Sequence, residues 1–136
     1  MYFPDVQAIK ELPIQDLAYI GDSVYELYMR QRCLLMYKVK PSKLHRIVIK
    51  FVNANYQAEA AKAISEFLTE EEKTILKRGR NANPGTKAKN ASIEDYRLAS
   101  GLETLMGYIY LKQDFSRLEE LLQMIFTKDE LNEREQ

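Results

Sequence analysis

Two acid-bearing segments stand far apart in the chain: GDSVYE, with Asp22 and Glu26, and ASGLETLMGYIYL, with Glu103. Each sets a carboxylate inside an otherwise apolar run, and carboxylates are rarely buried unless paired or bound to a cation. If both runs are helices of one small core, these acids meet only in the fold. Convergent acids are how an oxygen-preferring dication such as Mg2+ is held, with water and phosphate oxygens completing its shell. The ion would lower the pKa of a bound water and neutralise charge building on a phosphodiester. Metal-assisted hydrolysis is therefore the chemistry to test. The plainer reading is that helix acids at this spacing are solvated or paired with Lys or Arg.

A second chemical feature is the stretch KRGRNANPGTKAKN, from Lys77 to Asn90, with five cations (Lys77, Arg78, Arg80, Lys87, Lys89) and no acid. The whole chain has zero net charge, so the other residues sum to −5. A focused basic loop on a neutral protein suits local contact with a polyanion. His45, the only histidine, falls in a helical pattern, KLHRIVIKF, and reads as a surface or packing residue. Cys33, the only cysteine, lies in an apolar run and reads as structural, because burial raises a thiol's pKa.

The elements that must position these residues read almost entirely as helix. Pro13 suits a first helical turn, and apolar periodicity runs from Ile14 to about Tyr37. Asp22 and Glu26, four apart, share a face of this helix; Gly21 beside them would let another helix approach closely. Pro41 and Ser42 punctuate the chain, with Ser42 a suitable N-cap. A helical region from Lys43 to about Phe67 is expected to bend near Asn53–Asn55. Thr69 followed by three glutamates opens a short helix expected to end at Arg78 and Gly79. After the basic loop, Ser92 with Asp95 opens a helix to about Lys112, on which Ser100, Glu103 and Gly107 share a face. Asp114 caps a last helix from Phe115 to about Thr127, and residues 128–136 read as a mobile, solvated tail.

With 136 residues, 46% hydrophobic and 29% charged, the chain suits one soluble globular domain. No apolar stretch is long enough to span a membrane. The N-terminus lacks the order of a signal peptide, and the internal KDEL is not C-terminal. A single cysteine excludes an internal disulfide framework and fits a reducing cytoplasm.

The segment DLAYIGDSVYEL resembles the signature helix of ribonuclease III catalytic domains, of the form E-x-x-E-F-x-G-D-x-V-x-E. The segment ASGLETLMGYIYL resembles that family's second motif, A-D-x-x-E-A-x-x-G-x-x-Y-L. Two motifs in the right order, about 80 residues apart, are more specific than either alone. The resemblance runs from roughly Ile14 to Leu111. It is closest to the Mini-III branch, which has a bare catalytic domain, a KRGRNA-type basic segment and a YRLASGLE-type second motif.

The resemblance implies an all-α, ribonuclease III-like domain covering 1–136 without a double-stranded-RNA-binding domain. Asp22 and Glu103 take the positions of metal ligands and catalytic acids for Mg2+, with Mn2+ as a substitute. The family's other acids fall on Gln15, Ala18 and Ser100, a pattern that the Mini-III branch tolerates. Glu26 and Ser100 are supporting positions, and Lys77, Arg78, Arg80, Asn81, Lys87 and Lys89 would contact RNA. The implied activity is a cytoplasmic, bacterial double-stranded-RNA endonuclease leaving 5′-phosphate and 3′-hydroxyl ends. Its substrate would be the precursor of large-subunit (23S) ribosomal RNA, in some cases with a ribosomal protein bound to it. Ribonuclease III domains work as homodimers, and Tyr19, Tyr25 and Tyr28 could serve either that contact or the monomer core. Ala18 and Ser100 favour an alternative, a non-catalytic duplex-RNA-binding or ribosome-assembly module on the same scaffold. A third class is a plain helical interaction protein.

Overall fold

The computed structural model describes residues 2–82 and 92–135, with side chains as far as residue 126. Among the described residues seven helices follow one another: α1 (Val6–Glu11), α2 (Ile14–Tyr37), α3 (Pro41–Val52), α4 (Ala54–Ile64), α5 (Glu70–Ala82), α6 (Ile93–Leu111) and α7 (Phe115–Glu135). A 3-10 turn, Ser65–Phe67, follows α4, and no strand occurs among the described residues.

Local chemistry sets most of the boundaries. Asp5 caps α1, accepting from the Ala8 amide at 2.8 Å, and Asn53 caps α4, accepting from Tyr56 at 2.9 Å. The expected bend is thus a clean break, with Asn53 ending one helix and starting the next. Thr69 and Glu72 form a reciprocal capping box at 2.9 and 3.2 Å, and Ser92 accepts from the Asp95 amide at 3.1 Å. Ser42 is not a cap. Pro41 takes the first helical position, where its missing N–H costs nothing, and Lys40 precedes it as the N-cap. The helix α1 is not foreseen by the periodicity; it is six residues long and buries only Ile9. Residues 128–135, read from sequence as a tail, continue α7.

The helix α6 is the centre of the fold. Its Leu102, Thr104, Leu105 and Met106 are fully buried, as expected of a helix apolar nearly all round. The helices α2, α4, α5 and α7 pack around it. Arg117 on α7 straps the periphery: its guanidinium donates to Glu72 at 2.8 and 2.9 Å and to the Phe67 carbonyl at 2.7 Å.

The helix α5 does not stop at Gly79. It runs on to Ala82 because Gly79 serves packing rather than termination. A Cβ there would stand 2.6 Å from the Thr104 Cβ and 3.0 Å from the Gly101 Cα of α6. Lys77, Arg78, Arg80 and Asn81 are consequently helical residues and not members of a loop.

Candidate active site

On α2, Gln15, Ala18 and Asp22 fall at i, i+3 and i+7, one stripe of the helix. With Ile14 and Tyr19 they form one wall of a cleft of about 270 Å³. Tyr96, Ser100, Glu103 and Thr104 of α6 form the opposite wall, and Gly79 and Ala82 of α5 close one end. The expected convergence of Asp22 and Glu103 is therefore met. So is the expected close approach, because a Cβ on Gly21 would overlap the Glu103 carbonyl and stand 2.8 Å from the Gly107 nitrogen. Without a side chain at Gly21 and Gly107, α2 and α6 cross backbone against backbone. That crossing brings the two carboxyl groups within hydrogen-bonding contact.

The contact changes the acid chemistry. The Glu103 carboxyl is pushed up to about 9, first by burial, then by its hydrogen bond to Asp22 and by the Asp22 charge. Two carboxylates at this range cannot both ionise cheaply, so one proton is held between them. Asp22 is exposed on the cleft side, and Glu103 is half-buried. A pair with one trapped proton and one open edge suits a cation, which would take the proton's place.

The supporting residues divide. Ser100 lines the cleft, and its carbonyl accepts from the Thr104 hydroxyl at 2.7 Å. Glu26 does not line it; its carboxylate pairs with Arg30 at 2.6 Å on the surface of α2. Lys77, Arg78 and Asn81 are exposed along the last turns of α5, and Arg80 is half-buried. Arg80 and Asn81 line a second recess, with Arg97 of α6. Lys87 and Lys89 lie outside the described residues. Tyr25 and Tyr28 belong to the core: Tyr25 is fully buried and donates to the Phe51 carbonyl at 2.7 Å. Tyr19 is 77% exposed at the cleft's edge. Cys33 is buried and His45 exposed on α3. Sequence reasoning missed Tyr96 and Thr104, although Tyr96 stands seven before Glu103 and so shares its helix stripe.

The family model for the ribonuclease III domain matches residues 15–114, a span that takes in every residue lining the cleft but Ile14. The chain belongs to the ribonuclease III family. Within it, the chain is 45% identical over 128 residues to the Mini-ribonuclease 3 of Enterococcus faecalis, covering 92% of this chain and 97% of that protein. It is 45% identical over 121 residues to the Mini-ribonuclease 3 of Staphylococcus aureus, covering 88% and 90% respectively. A crystal structure of a Fusobacterium nucleatum protein superposes with a TM-score of 0.79 at 27% identity, covering 89% of this chain and 97% of that one. Gln15, Ala18 and Ser100, the positions on which the motif resemblance places further family acids, all line the cleft beside the Asp22–Glu103 pair.

Proposed function

We propose that this chain is a divalent-metal-dependent endonuclease of double-stranded RNA that trims the paired ends of the 23S ribosomal RNA precursor, acting as a homodimer. Family membership carries the endoribonuclease activity. The observation supporting the site is the carboxyl–carboxyl contact of Asp22 and Glu103 across the α2–α6 crossing.

The donor set fits a hard cation of low protein coordination. Among the described residues no group of three or more His, Cys, Asp or Glu side chains is gathered, so Asp22 and Glu103 are the available pair. Mg2+ is commonly bound through one or two carboxylates plus substrate phosphates, and Mn2+ takes the same oxygen ligands. When bound, the ion supplies an activated water and charge neutralisation at phosphorus. The chain's own residues do the rest. Asp22 and Glu103 would hold the ion, Asp22 from the exposed side of the cleft and Glu103 from its half-buried wall. Gln15, Ser100 and Tyr96 line the cleft with uncharged groups, so no further acid repels an approaching phosphate. Lys77, Arg78 and Arg80, on the helix that closes the cleft, attract the RNA backbone.

For the dimer, the support is an apolar recess of about 380 Å³ on the other side of α2, lined by Ile20, Val24, Leu27, Tyr110, Phe115 and Leu118 among others. Leu27 and Phe115 are about half exposed there, which suits an isologous contact. No described helix is long and apolar enough to cross a membrane. The test is cleavage of a long RNA duplex with Mg2+ and with chelator. Asp22→Asn is expected to abolish fragments while duplex binding persists; undiminished cleavage by this variant would remove Asp22 from the site.

A further inference from the structure

We propose that α3 carries a second RNA-binding ridge, which grips the duplex flanking the cleavage point. The inference rests on the duplex-RNA reading above. From Gln31 to Ala58 the chain contains six cations (Arg32, Lys38, Lys40, Lys43, Arg46, Lys50) and no acid. As the total charge is zero, everything outside this stretch sums to −6. Lys38, Lys40, Lys43, Arg46 and Lys50 are all exposed, and none of the five is held in an ion pair among the described residues. Lys43, Arg46 and Lys50 fall at i, i+3 and i+7, so α3 presents them as one row, with Lys38 and Lys40 at its N-terminal end.

The helix that carries the row packs against the side of α2 that lines the cleft. Continuing the stripe of Gln15, Ala18 and Asp22 by seven and eleven residues past Asp22 gives Met29 and Cys33. Both are buried in the cluster that includes Val48 and Phe51 of α3. The helix α3 therefore covers the continuation of the very stripe that lines the cleft. The Tyr25 hydroxyl, bonded to the Phe51 carbonyl at 2.7 Å, ties the C-terminal end of α3 to α2 just past Asp22. At 1.5 Å of rise per residue, the stretch of α2 beneath α3 lies roughly 5–16 Å along its axis from Asp22. Glu26, on the intervening turn, is already neutralised by Arg30. The cations of α5 lie on the helix whose Gly79 and Ala82 line the cleft. A duplex seated over Asp22 and Glu103 would thus meet positive charge from α3 as well as from α5. An unpaired row of this kind contacts phosphates without reading bases, so its contribution is electrostatic and depends on salt.

The test compares the full-length wild type with a triple variant, Lys43→Ala/Arg46→Ala/Lys50→Ala, and a charge-preserving one, Lys43→Arg/Arg46→Lys/Lys50→Arg. Binding is measured in chelator against RNA duplexes of increasing length at several salt concentrations, with circular dichroism melts checking the fold. Affinity for the wild type is expected to rise with duplex length to a plateau. In the alanine variant it should plateau at shorter duplexes and fall about tenfold or more on long ones, with the log–log salt slope shallower by ~2–3. The charge-preserving variant should restore both. An unchanged salt slope in the alanine variant, or a charge-preserving variant as weak as it, would overturn the ridge; unchanged RNA binding would leave the row to an acidic protein. A wild type that neither binds nor cuts duplex RNA would instead overturn the parent reading, which keeps the two failures apart.

Discussion

Changing Glu103 to Gln should make the protein more stable while making it inactive. The Glu103 carboxyl is raised from 4.5 to about 9 by burial and by Asp22. A carboxyl with a raised folded pKa favours the folded state fully below the unfolded value, and that advantage drains away as pH rises towards the folded value. Between about pH 5 and pH 9 the unfolded chain ionises this group freely while the fold must keep it protonated. At about pH 7 the handicap is at most about 3 kcal/mol, from 1.36 kcal/mol per unit over the distance from 4.5. Glu103 keeps some exposure, so ~1–2 kcal/mol is the working figure. Gln offers an uncharged amide of the same shape that can donate to Asp22 at every pH. In chelator at neutral pH, thermal melts of Glu103→Gln should therefore rise by several degrees over wild type. The difference should vanish near pH 4.5 and widen towards pH 9, while cleavage with Mg2+ is lost. A variant no more stable than wild type at alkaline pH, or a difference that does not change with pH, would refute the shared-proton account of the pair.

Gly21→Ala should destabilise far beyond a helix-propensity effect, because its methyl would collide with the Glu103 carbonyl; a loss of at least ~3 kcal/mol is expected by urea titration, together with loss of activity. Arg117→Ala should cost about 3–5 kcal/mol in the same assay, since it strands the largely buried Glu72 carboxylate, whose pKa the guanidinium lowers. Changing Arg78 and Arg80 to Ala should weaken duplex binding and reduce its salt slope by ~1–2, measured by the same salt titration; an unchanged slope would take α5 out of the interface.

The two longest motif-bearing helices were legible because their periodicity is long and their ends are marked. Pro13 precedes α2, which ends at Tyr37 as its apolar pattern does, and Ser92 opens α6. The meeting of Asp22 with Glu103 was legible for a different reason: Gly21 and Gly107 sit next to them, and paired glycines in apolar helices signal a close crossing. Gly79 shows the limit of that reasoning. As a residue type it breaks helices, yet here it packs against Thr104, and only the tertiary partner distinguishes the two uses. The tyrosines were ambiguous for a similar reason: Tyr25 points inward to the Phe51 carbonyl, whereas Tyr19 points outward, and the choice depends on where α3 folds back. The end of α2 carries no glycine; Lys38 takes the left-handed conformation itself, at φ 47°. That leaves no composition signal at the turn.

Glu103 rides on the helix that α2, α4, α5 and α7 all contact, so its backbone is held by packing everywhere except towards the cleft. Amide protons of this stretch of α6 are expected to exchange only when the whole domain unfolds. An enzyme built this way leaves adaptation to its margins: selectivity for one duplex over another must be tuned on the outer helices, while the reacting end stays rigid.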